Sequence, residues 1–167
     1  MNATGPVVSV YKLNANFSSA NAAISENATN NTTIKIIAAA INIIVSDDAQ
    51  NITFGQDLDP GSSDNPATKN SLNSYGVTCD YPGATCNISV KGNYNLMSQS
   101  NILGIGNISW AKVNDVLFQN AMSLYYQVVN ASLPDQATQL LYYWLDIPGA
   151  QIAGNYYTNY TIQGEPA

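Results

Sequence analysis

The chain has no histidine, no arginine and only five lysines, and 10% of its residues are charged against a usual ~25%. Each absence removes a class of function. Without His, neither Ser-His-Asp nor Cys-His catalysis nor the common zinc sites can be assembled. Without Arg there is no planar fork for bidentate phosphate binding. Five scattered lysines in a chain of formal net charge -6 do not form the cationic footprint that nucleic acid requires. Long apolar runs are also missing: Ile34 to Val45 is interrupted by Lys35 and Asn42 and falls short of the ~20 residues of a membrane span. No membrane span is expected. Met1-Asn2-Ala3-Thr4 has neither the basic start nor the apolar core of a secretion signal, which leaves either a cytosolic protein or a numbering that starts at a mature end; the second is expected, because a cytosolic chain has no use for the ten Asn-x-Ser/Thr sites described below.

What is present suffices for one core. The 167 residues are the size of one domain, 46% are hydrophobic, and eleven Tyr are available to pack. Something other than charge must keep the surface wet, and the composition offers 22 Asn beside 15 Ser and 11 Thr. The N-glycosylation acceptor pattern Asn-x-Ser/Thr occurs at Asn2, Asn16, Asn27, Asn30, Asn31, Asn51, Asn87, Asn107, Asn130 and Asn159. Chance pairing of these residues would give ~3 such sites. Five of the sequons carry an apolar middle residue, Phe17, Ile52, Ile88, Ile108 or Tyr160. In a strand, residues i and i+2 share one face while i+1 takes the other, so Asn and hydroxyl would lie on the wet face and the middle residue on the core. Glycosylation at several of these sites is expected; the alternative is an Asn-rich polar face.

Period and punctuation predict an all-β protein, a single immunoglobulin-like or jelly-roll-type β-sandwich with an N-terminal extension strand. After Gly5-Pro6, the residues Val7, Ser9, Tyr11, Leu13, Ala15 and Phe17 alternate with mostly polar neighbours, which reads as a strand over 1–17. Residues 18–33 read as a linker or glycan-covered loop, and 34–167 as the sandwich head, opening with a strand at Ile34 to Val45 buried on both faces. Further strands are expected at Asn51 to Phe54, Tyr75 to Asp80, Thr85 to Val90, Asn107 to Trp110, Leu124 to Val129, Gln139 to Ile147 and Tyr156 to Ile162. Turns such as Asp59-Pro60-Gly61, Pro82-Gly83 and Pro148-Gly149 separate them. The best helix candidate is Ala111 to Ala121.

Cys79 and Cys86 flank the Pro82-Gly83 turn, which would set them opposite each other on two meeting strands. A disulfide there gains ~2.5 kcal/mol from loop closure on the chain-entropy model. Two ordinary thiols are the alternative, and the sequons favour the oxidising, exported setting.

Candidate chemistry is thin. Asp57, Asp59 and Asp64 have some look of a calcium loop, but the repeated D-x-D-x-D-G and the distal Glu are missing, so a solvated turn is the preferred reading. Glu26 and Glu165, both expected in mobile segments, provide no glycosidase pair with those Asp. Tyr142, Tyr143 and Trp144, or Tyr156, Tyr157 and Tyr160, could form a sugar-stacking platform, although alternation sends Tyr143 one way and Tyr142 with Trp144 the other. No catalytic residue, metal site or cofactor is expected.

Phe54-Gly55, Leu58-Asp59-Pro60-Gly61 and Asn65-Pro66-Ala67, then Trp144-Leu145-Asp146-Ile147-Pro148-Gly149, Gln151, Ala153-Gly154 and Tyr156, together resemble a β-sandwich domain common in archaeal surface proteins. Over Ile36 to Ile162 the chain resembles subunits of archaeal extracellular filaments, the bundling pili and threads, which are similar in architecture to a bacterial biofilm-matrix fibre protein. The resemblance implies a helical homopolymer joined by donor-strand complementation, in which the strand over 1–17 completes the sheet of the next subunit. Its role would be adhesion, bundling or biofilm formation at the cell surface, with other filaments or cell surfaces as further partners. A type IV pilus is not expected, because no apolar N-terminal helix of the prepilin kind is present. The alternative is a secreted carbohydrate-binding or adhesin module that does not polymerise.

Overall fold

In a computed structural model of the protein, the described residues are 8–13, 32–37 and 41–167. The chain divides into two units, 1–40 and 41–167.

In the first unit, β1 (Val8–Leu13) pairs antiparallel with β2 (Thr32–Ile37), with Tyr11 opposite Ile34. Ser9, Tyr11 and Leu13 of the expected donor strand lie in β1, whereas Val7, Ala15 and Phe17 lie outside the described residues. The structure differs here from the sequence expectation in two ways. The expected strand is not a lone extension, since it has a partner in its own chain. The expected head strand over Ile34 to Val45 is two strands in different units, β2 and then β3 (Asn42–Val45). A nearly continuous apolar run carries no mark of where the chain changes partner.

In the second unit, β6 (Thr85–Gly92) follows the period of two closely: Cys86, Ile88 and Val90 are fully buried, while Asn87, Ser89 and Lys91 are half-buried on the other face. Short strands surround it: β4 (Asn65–Pro66), β5 (Gly76–Asp80), β7 (Leu96–Ser98), β8 (Asn101–Leu103), β9 (Ile108–Ala111), β10 (Asn120–Ala121), β11 (Gln127–Pro134), β12 (Thr138–Leu140), β13 (Tyr142–Leu145) and β14 (Tyr160–Pro166). They pair antiparallel in the orders β12-β5-β3, β11-β6-β14 and β10-β9-β13-β4, with β7-β8 as a separate hairpin. The fold is all-β, consistent with a sandwich.

Cys79 and Cys86 are bonded, with Cα atoms 5.8 Å apart and both side chains fully buried. The route to this bond differs from the expected hairpin. β5 pairs with β12 and β3, whereas β6 pairs with β11 and β14, so the disulfide ties one sheet to another. Gly83 turns the intervening corner at φ +73°, a value that favours glycine. The Asp135 carboxylate accepts the Tyr81 N–H at 3.0 Å and the Gly83 N–H at 3.4 Å.

β9 and β13 are buried on both faces. Tyr143 joins the main core, while Tyr142, Trp144 and Ala111 form a second apolar cluster with Leu140. The expected alternation is observed, but it leaves neither face free. Three further segments depart from expectation. Asn51 to Phe54 makes one bridge, Phe54 to Ala67, rather than a strand. The helix expected over Ala111 to Ala121 is reduced to a single 3-10 turn, Val116–Phe118, whose start is capped by Asp115 accepting the Leu117 N–H at 2.9 Å. The strand expected from Leu124 starts at Gln127 and continues through two register shifts to Pro134. A short α1 (Asp47–Gln50) follows β3, and its cap Ser46 accepts the Ala49 N–H.

Candidate strand-accepting groove and sequon positions

A groove of about 960 Å³ opens in the second unit. One wall is the segment from Gln50 to Leu58 and the other runs from Gln151 to Tyr160, both mostly without regular secondary structure. Leu96, Leu103, Ile105, Ile108, Met122 and Leu145 of the buried core form its apolar floor. Neither wall is a paired strand along its length. Thr53 accepts the Thr68 N–H at 2.9 Å, and Tyr157 exchanges bonds of 2.9 and 3.1 Å with Met97. Among the described residues, Gly55 to Asp57 and Ile152 to Asn155 make no backbone-to-backbone hydrogen bond. An extended chain laid between such walls finds both apolar contact and unpaired backbone groups.

Tyr143 and Tyr160 also line the groove. Their rings lie 6.2 Å apart in a tilted pair, with Tyr75 edge-on to Tyr143 at 5.6 Å. Neither hydroxyl has a hydrogen-bond partner among the described residues. Burial pushes both phenols well above the ordinary tyrosine value, and the neighbouring Tyr75 adds to each. Both are therefore neutral at physiological pH.

The sequons in the second unit lie at surface or partly exposed positions. Asn51 and Asn159 are exposed, while Asn87, Asn107 and Asn130 are half-buried. Ile88 and Ile108 are buried middle residues, and Ile52 and Tyr160 pack against the same core. At Asn130 the middle residue Ala131 is exposed. Asn107 Nδ2 donates to Gly104 O at 3.0 Å, and the Ser109 hydroxyl of that sequon donates to Gln119 Oε1 at 2.8 Å. The Asn87 Oδ1 is buried and without a partner among the described residues. Asn2, Asn16, Asn27, Asn30 and Asn31 lie outside the described residues, as does Phe17.

Asp57 and Asp59 are exposed, and Asp64 accepts a hydrogen bond from Gln119 Nε2 at 2.9 Å. Among the described residues no three metal-ligating side chains converge, and no helix is long and apolar enough to cross a membrane. Glu26 lies outside the described residues, and Glu165 accepts from Gln163 in β14, a strand rather than the expected mobile segment. Of the aromatic candidates, Tyr142, Tyr143 and Trp144 are buried, and the Tyr156 hydroxyl donates to Ile152 O at 2.7 Å. Only Tyr157 is widely exposed, beside a smaller hollow of about 450 Å³ lined by Ser98, Gln99, Asn101 and Asn155. The two walls of the groove were not legible in advance, because they come from segments about a hundred residues apart. The apolar alternation in both predicts strands, Asn51 to Phe54 and Tyr156 to Ile162, and carries no sign that they face each other. No protein-family model, no curated protein and no solved structure matches the chain.

Proposed function

We propose that this chain is a non-catalytic structural subunit of a glycosylated extracellular filament. Copies join head to tail, the N-terminal strand of one entering the groove of the next. The observation that carries this reading is the groove between residues 50–58 and 151–160, with its apolar floor and sparsely paired walls. A strand that alternates apolar residues matches that shape. Five inserted side chains at ~1.5 to 3 kcal/mol each set an upper bound of ~8 to 15 kcal/mol before ordering costs. Because β1 is already paired with β2, joining would be a strand exchange that keeps β1 extended while its partner changes. Such a head-to-tail contact does not close on itself and propagates into a filament. Sugars on Asn would take the place of surface charge, and the buried disulfide suits an oxidising, extracellular setting.

The test is deletion of residues 1–17, followed by negative-stain microscopy and intact mass before and after deglycosylation. The expected result is fibres from the full chain, dispersed heads from the deletion, and a mass that falls on deglycosylation. Intact fibres from the deletion would overturn donor-strand joining, and unmodified monomers of the full chain would overturn the whole reading. Exposed Tyr157 beside its polar hollow favours one second reading, a secreted carbohydrate-binding module. Glycan binding by a monomeric full chain, lost in Tyr157→Ala, would support it.

A further inference from the structure

The exposed large apolar residues of the second unit are most numerous on either side of β10, and these do not line the groove. The 3-10 turn before β10 exposes Val116, Leu117 and Phe118, and the loop after it exposes Leu124, Tyr125 and Tyr126, with Leu117 84% and Tyr125 82% accessible. Hydrogen bonds hold both loops to the same edge. Asn120 Nδ2 donates to Phe118 O at 3.3 Å on one side. On the other, Gln127 Oε1 accepts from Trp110 Nε1 at 3.2 Å and from Ser123 N at 3.1 Å, while Gln127 Nε2 donates to Ala121 O at 3.0 Å. Among the described residues, β10 is the end strand of its sheet, paired with β9 alone, and both of its residues are exposed.

Phe118, Tyr125 and Tyr126 alone present roughly 380 Å², taking ~200 Å² for each when fully exposed, and Val116, Leu117 and Leu124 add to it. That reaches the ~300 to 600 Å² of the largest apolar patch on an ordinary monomer, and it is a substantial part of the ~800 Å² that each partner contributes to a stable pair. The stretch from Val113 to Val128 carries one charge, Asp115, and no sequon lies between Asn107 and Asn130. On a chain of net charge -6 this is therefore a place where like-charged copies can approach without mutual repulsion or a sugar in the way. Both signs stand close by: Lys112 adjoins the stretch, Lys91 Nζ lies 4.6 Å from the Tyr126 ring centroid, and Asp64 is bonded to Gln119.

We propose that this β10 surface is a self-association site, through which a second copy of the chain docks by its own β10 surface. It is separate from the groove and does not depend on head-to-tail joining. The experiment compares the full chain with Leu117→Asp/Tyr125→Asp, and with Leu72→Asp as an exposed control elsewhere, by sedimentation equilibrium and by microscopy of any filaments formed. At a concentration low enough that all are monomeric, the three should share one urea midpoint, which reads folding separately from association. The expected result is self-association, or side-by-side pairing of filaments, that is about tenfold or more weaker in the double variant and unchanged in Leu72→Asp. If filaments fail to form, the same comparison on monomers against dimers still decides it. Wild-type chains or filaments that stay solitary at high concentration would overturn the proposal. So would association of equal strength in the double variant. Cosedimentation with phosphatidylcholine–phosphatidylglycerol vesicles that is lost in the double variant, without self-association, would assign the surface to a lipid instead.

Discussion

The cross-sheet disulfide allows a prediction whose size follows from the structure. Cys79 and Cys86 close a loop of sequence separation 7, which limits the unfolded chain by ~2.5 kcal/mol on the chain-entropy model. Reduction without substitution removes only this constraint. Replacing both residues by alanine also empties space at two fully buried positions, at about 1 kcal/mol each. The expected total is thus ~2.5 kcal/mol for the reduced chain and ~4 to 5 kcal/mol for Cys79→Ala/Cys86→Ala. Urea unfolding followed by tyrosine and tryptophan fluorescence measures both. With a slope of ~1 to 3 kcal/mol per molar urea, the midpoint falls by about 0.8 to 2.5 M on reduction and further in the double variant. A reduced chain with an unchanged midpoint would refute the reasoning. It would mean that the turn held by Gly83 and Asp135 persists in the unfolded ensemble, so that the bond constrains nothing that is free to move.

Three other outcomes are expected. Tyr143 and Tyr160 have folded pKa values raised above the unfolded value of 10.0, so their contribution is fully present below pH 10 and is lost as pH rises further; stability should fall by about 1.4 kcal/mol per pH unit for each, and Tyr143→Phe/Tyr160→Phe should flatten an alkaline melting series. Gly164 in β14 lies against Ile43, where any added Cβ would overlap the Ile43 side chain, so Gly164→Ala should cost ~1 to 3 kcal/mol in a urea melt. Glycopeptide mapping should find Asn51 and Asn159 the most fully occupied sequons of the second unit and Asn107 the least, because the Asn107 amide and the Ser109 hydroxyl are already engaged.

Local patterns were legible where one residue's environment follows from its neighbours. The middle residues Ile88 and Ile108 could be placed inside, and Tyr143 separated from Tyr142 and Trp144, because alternation is a property of the strand itself. Boundaries were legible only in part. Leu124 to Tyr126 continue the apolar pattern of β11, yet the Gln127 side chain holds them off the sheet in an exposed loop, a tertiary tie that no period displays. Asn51 to Phe54 likewise has strand chemistry and, among the described residues, one bridge and no further strand partner.

The sequence by itself determined the composition of the surface and the class of fold: with so little charge, neither His nor Arg, and apolar residues at period two, an all-β body wetted by Asn, Ser and Thr follows. It also set the cysteines close enough to bond. Only the tertiary structure decided that the bond joins two sheets, that β1 and β2 pair with each other, and that segments near residues 54 and 154 enclose a groove. The physical reason is the same in each case. A strand's face is chosen by its own side chains, whereas its neighbour is chosen by backbone groups and packing contributed from elsewhere in the chain.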